Sequence, residues 1–94
     1  MIKSFADKDT KRLFEGQRPR KIPHELWKRA ARKLLILHAA VELSELNVPP
    51  GNHLEKLRAD REGQYSIRIN NQWRVCFVWQ AGHAYQVEIT DYHS

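Results

Sequence analysis

The chain has 94 residues, with sixteen Lys and Arg against eleven Asp and Glu, a formal charge of +5. That length suits one small domain, 1–94, whose core must lean on its three Trp, three Tyr and three Phe. One cysteine excludes an internal disulfide and fits a reducing, cytoplasmic setting. No apolar run approaches the roughly 20 residues of a membrane span, and "MIKSFADKDTK" lacks a signal-peptide core. The positive excess alone reads first as a solvated surface, and otherwise favours an anionic partner: nucleic acid, a membrane surface or an acidic protein.

In chain order, "MIKSF", short and with apolar Ile2 and Phe5, reads as a first strand. "DKDTKRLFEG" reads as a short helix: Asp7 or Asp9 caps it, Leu13 and Phe14 face the core, and Gly16 ends it. "QRPRK" is a basic connector. Pro23 suits a first helical position. Leu26/Trp27, Ala30/Ala31, Leu34/Leu35 and Val41 then recur at helical spacing, predicting a helix to about Ser44. "NVPPGN" stops it.

From there the period is two. Tyr65, Ile67 and Ile69, then Trp73, Val75, Phe77 and Trp79, then Tyr85, Val87 and Ile89 form one apolar face of an antiparallel meander. Parity fixes the first hairpin. A loop of Asn70–Asn71 alone would set Ile69 against Gln72 and oppose the two apolar faces. A loop of Asn70–Asn71–Gln72, with an Asn in the left-handed region, pairs Ile69 with Trp73 and Ile67 with Val75. Arg68 then faces Arg74 on the side away from the helices, with Glu88 on the same face. Thr90 and Tyr92 join them if the last strand runs without a bulge. Like charges set opposite each other destabilise unless an anion lies between or near them. Glu88 is one candidate and a ligand phosphate another.

The five histidines, His24, His38, His53, His83 and His93, show no metal-ligand spacing, so no metal or cofactor is expected. His38 reads as a structural residue at the core boundary, and mid-strand Cys76 as a small core hydrophobe. There is no Gly-rich phosphate loop. What remains is a cationic set with few acids: His53, Lys56, Arg58, Arg61, Arg68 and Arg74, then a terminal "DYH". Arginine forks suit phosphate oxygens and the charge of a phosphoryl transition state. Tyr and His can stack on bases or move protons. RNA binding and metal-free phosphodiester cleavage both fit.

"MIKSF", "PPGNHLEKLRADREGQYSIRINNQWRVCF" and "VEITDYH" together resemble the HigB-type toxins of the RelE superfamily. The resemblance spans nearly the whole chain. It implies an α+β, RelE-like fold, a twisted antiparallel β-sheet with two N-terminal α-helices packed on one face. It also implies a ribosome-dependent endoribonuclease that cuts messenger RNA in the A site. The implied partners are a HigA-like helix-turn-helix antitoxin, the ribosome and messenger RNA. DNA is met only indirectly, through the antitoxin.

By position, the resemblance makes Arg74 the arginine that stabilises phosphate and transition state, and Tyr92 the tyrosine that orients or activates the RNA. Arg58 falls where a well-known branch has a catalytic lysine, and Glu55 where that branch has a histidine. That imidazole is missing here, and neither His53 nor Lys56 occupies the matching position. His53, Lys56, Arg61, Arg68, Asp91 and His93 are the implied RNA contacts. An arginine stays protonated and cannot be the base. Tyr92 and the arginines are therefore expected to carry most of the catalysis, with Glu55 orienting Arg58. A non-catalytic relative that binds RNA or antitoxin is the alternative left open by Glu55. A plain DNA-binding module suffers from the lack of a helix-turn-helix pattern.

Overall fold

The computed structural model describes residues 1–91; Tyr92 and His93, both expected site residues, lie outside them. Two α-helices, α1 (Lys8–Phe14) and α2 (Trp27–Ala39), precede four strands. These are β1 (Glu55–Lys56), β2 (Gln64–Arg68), β3 (Trp73–Gln80) and β4 (His83–Asp91). They form one antiparallel sheet in the order β1-β2-β3-β4. Leu26, Ala30, Leu34 and Leu37 from the α2 region meet Ile67, Val75, Phe77 and Val87 in the main core.

Asp7 rather than Asp9 caps α1, accepting from the Thr10 amide at 3.4 Å. Asp9 is buried and accepts from the Arg20 amide, fixing the basic connector. Gly16, at φ 80, follows the helix in the left-handed region where a side chain is strained. His38 is structural as expected: its Nδ1 accepts from the Ile2 amide, and its ring lies 5.2 Å from Phe14.

The second helix is shorter than its spacing predicts. Pro23 is extended, and a 3-10 turn over His24–Leu26 leads into α2. The helix ends at Ala39 because Glu45 intervenes. Its carboxylate accepts from the Val41 and Glu42 amides at 2.9 and 2.6 Å, capping a separate 3-10 turn over Leu43–Asn47. Burial of Leu46 seats that turn on the core. Leu35 and Val41, expected inward, are 60% and 71% exposed.

"MIKSF" is not a full strand. Ile2 and Phe5 form isolated parallel bridges to Ala84 and Val87 on the outer edge of β4. The first hairpin has the expected register, Ile67 opposite Val75 and Arg68 opposite Arg74. None of Asn70, Asn71 and Gln72 has a positive φ, however. Instead the Asn70 side chain accepts from the Gln72 and Trp73 amides, each at 2.8 Å, and closes the loop.

The second hairpin departs from simple alternation for a reason of parity. A two-residue turn, Ala81 at φ 53 and Gly82 at φ 80, pairs Gln80 with His83 and Trp79 with Ala84. That register would turn Val87 and Ile89 outward. A bulge between Cys76 and Val78 restores them, with Gln86 at φ 51 as the extra residue. The Gln86 amide, freed from the ladder, donates to Ser4 Oγ at 2.9 Å. Ala84, not Tyr85, is therefore the buried residue before the bulge. Downstream, Thr90 pairs with Arg74 and Cys76 with Glu88.

Candidate functional site

The sheet face away from the helices is not the open polar surface its pattern suggests. In mid-β3, Arg74 and Cys76 are buried as well as Val75 and Phe77. Burial pushes the Cys76 thiol above its ordinary value, so it stays protonated, inert and hydrophobe-like. Arg74 is only 9% exposed. Its Nε donates to Ser66 Oγ at 2.7 Å and its Nη2 to the His53 carbonyl at 2.5 Å. The His53 backbone turns back at φ 44, which brings that carbonyl over the sheet. Nη1 lies 4.0 Å from Glu55 Oε1. A buried charge demands such partners, and together they fix the plane of the guanidinium.

Beside it opens a cleft of about 370 Å³ lined by His53, Glu55, Arg68, Asn70, Asn71 and Arg74. The acidic neighbour of Arg74 is thus Glu55, delivered by the short β1 strand opposite Ser66. Glu88, expected near Arg74 or Arg68, is held instead by Arg61 at 2.6 Å. That hydrogen bond is the first cause of a raised Arg61 pKa. The repulsion between Arg68 and Arg74 is relieved by turning them apart. Arg68 donates to the Asn70 carbonyl and to the Asn71 side chain at the hairpin tip.

Four of the expected site residues do not line this cleft. Lys56 and Arg58 line a separate depression with Leu57 and Glu62, so Glu55 orients Arg74 rather than Arg58. Arg61 is tied to both Gln64 and Glu88 through one nitrogen. Asp91 ends β4 opposite Trp73 and accepts from Gln72 at 3.0 Å.

The sequence model of HigB-like toxins, described as the RelE-like toxin of the type II toxin-antitoxin system HigB, matches residues 3–93. The chain belongs to this family. Toxin HigB-1 of Vibrio cholerae is 41% identical over 83 residues, 87% of each chain. Endoribonuclease HigB of Proteus vulgaris is 38% identical over 93 residues, 99% of this chain and all of that one. The solved YoeB-YefM complex from Staphylococcus aureus contains a chain of the same fold, at TM-score 0.54 and 20% identity, covering 100% of this chain and 99% of that one. No helix among the described residues is long and apolar enough to cross a membrane.

For this HigB-family toxin, sequence reasoning missed the two groups that aim the arginine. Ser66 carried a signal, since it shares the even-numbered face with Arg74 and Cys76 two positions from Arg68. The His53 carbonyl carried none, because nothing in "PPGNH" announces which backbone oxygen the turn presents.

Proposed function

We propose that this HigB-family toxin is an endoribonuclease that cuts messenger RNA in the ribosomal A site, in the cytoplasm, with no metal or cofactor in the step. The 2′-hydroxyl gives up its proton as its oxygen attacks the neighbouring phosphorus, and the 5′-oxygen leaves and takes up a proton, so none is gained or lost overall. The product strand ends in a 2′,3′-cyclic phosphate. The observation that carries the reading is the Arg74 guanidinium, nearly buried, fixed by Ser66 and His53, and bordering an open cleft. A preorganised cation in a water-poor wall stabilises the charge of the phosphorane without reorganising.

Glu55, close to Nη1 of Arg74 and 55% exposed on its side chain, helps orient that fork. Tyr92, next in the chain after Asp91, is the residue proposed to orient or activate the RNA. Arg68, His53, Asp91 and His93 position the RNA around the cleft, with Lys56, Arg58 and Arg61 contacting phosphates beyond it. A cognate HigA-like antitoxin docks on the N-terminal helices and leaves the Arg74 side open. The exposed apolar side chains of Leu35, on α2, and Val41, just past its end, support that placement.

The test is to induce the protein alone in bacteria and map the ends of cut transcripts. Growth arrest with cuts inside codons, reversed by co-expressed antitoxin, is the expected result. Arrest without cuts selects the non-catalytic alternative, and normal growth refutes both.

A further inference from the structure

We propose that a second cleft, between α2 and the tip of the β2–β3 hairpin, binds the phosphate backbone of RNA next to the segment held at Arg74. This rests on the ribonuclease reading and extends it to residues that the cationic set of the sequence did not include. Arg29, Arg32 and Lys33 line a cleft of about 450 Å³ together with Arg68, from a different element. Spacings of three and four bring the first three onto one face of the helix.

A row of cations on a helix is ordinarily a solvated face. Here the cations converge on a concavity instead of radiating from a convex surface, and no Asp or Glu lines it. Among the described residues, no carboxylate lies within ion-pair distance of any of the four. They are also felt by one another. The Lys33 pKa is lowered, first by burial and then by Arg29 and Arg32. Lys33 does not swing away, because its ammonium is held 2.5 Å from Asn52 Oδ1. Asn52 is buried, and its amide donates to the Leu46 and Val48 carbonyls, so this anchor is built into the fold. Crowded cations without counter-charge favour an anion of spread charge, and a run of phosphates supplies one.

Arg68, Asn70 and Asn71 wall both this cleft and the one at Arg74. One RNA strand can therefore pass from one to the other around the hairpin tip, as can two strands that meet there. Gly51 lines the second cleft with open space where a side chain would stand. The backbone at that point leaves the phosphates unobstructed.

The test measures binding to ribosomes programmed with messages whose A-site codon is 2′-deoxy, so that no cut occurs. One message ends at that codon and a second extends beyond it. Arg29→Ala/Arg32→Ala removes two exposed side chains, and a thermal midpoint equal to the parent's checks its fold. Losing two phosphate contacts should flatten the slope of log affinity against log salt by about 1.4, roughly 25-fold in affinity at 0.1 M salt. Gly51→Glu should weaken binding by placing a carboxylate in the cleft, while Gly51→Gln, of the same size, should bind more tightly than Gly51→Glu. A loss confined to the extended message assigns the phosphates to messenger RNA; an equal loss on both assigns them to ribosomal RNA. Unchanged affinity and slope on both messages overturns the inference. If antitoxin binding falls instead, the cleft belongs to the antitoxin and the inference is equally overturned. Cleavage of an all-ribose message by the parent reports separately on the ribonuclease reading.

Discussion

Truncation of Arg74 to alanine does two things that the structure separates. Ser66 Oγ, fully buried, loses its charged donor, whereas the His53 carbonyl belongs to an exposed residue that water can reach. One buried acceptor left without a donor costs about 1–3 kcal/mol. Small domains are stable by about 5–15 kcal/mol, so Arg74→Ala should remain folded, with its melting midpoint lowered by about 4–8 °C per kcal/mol. The mutation is thus not neutral for stability, as an outward-facing arginine would have been. The rate should fall further, by about 10²–10³, the usual cost of one preorganised donor to a developing oxyanion. Arg74→Lys should recover part of it, since an ammonium supplies charge but cannot reach Ser66 and His53 in one plane. Ser66→Ala keeps the guanidinium and loosens its aim, so its rate should lie between those of Arg74→Ala and the parent. The assay is single-turnover cleavage on programmed ribosomes at saturating toxin, with thermal unfolding alongside. A folded Arg74→Ala that cuts at the parental rate would refute the assignment of Arg74 to the reaction.

In the same cleavage assay Tyr92→Phe should be more damaging than Glu55→Gln; the reverse order makes Glu55 the base. Cys76, with its thiol pushed up by burial, should resist iodoacetamide at about pH 8.5 in the folded protein and react readily in denaturant. Rapid labelling of the native protein would mean that the second sheet face is open. The folded thiol holds its proton more tightly than the unfolded one. Its contribution to stability is therefore present below the ordinary thiol range and is lost as pH rises through the raised folded value. Glu45→Ala removes the acceptor for two amides past α2. It should cost about 1 kcal/mol, read as a drop of about 4–8 °C in the melting midpoint, and an unchanged midpoint would show that the turn does not depend on its cap.

Hydrophobic period and parity carried the core and the first hairpin. Ile67 opposite Val75 followed from keeping apolar groups on one face, and the ladder obeys it. What escaped were local side-chain interventions that compete with period. Glu45 takes amides that would have continued α2, although Val41 kept the helical spacing. Gln86 enters as an extra residue because a two-residue turn sets the wrong parity for Val87. At the site, the position of Arg74 was legible and its environment was not. Burial of an arginine is decided by segments remote in sequence, here by Ser66 and by the turn that presents the His53 carbonyl. Glu88 looked like a partner by strand parity alone, but Arg61, 27 positions away, reaches it first.

The pairing of residues 2–6 with the outer edge of β4 bears on when a newly made chain can act. Lys3 and Ala6 donate to Ala84 and Val87, and the Ala84 and Val87 amides donate back to Met1 and Ser4. These contacts join segments far apart in sequence, so residues 2–6 have no place to pair until residues 84–87 are present. Thr90, which faces Arg74, and Glu88, which restrains Arg61, arrive on that same strand. A chain in which residues 83–91 have not yet paired therefore lacks the strand beside Arg74 and the carboxylate that holds Arg61. Residues 2–6 and the setting of Arg74 are thus tied through one strand, so a change that loosens β4 should loosen both together.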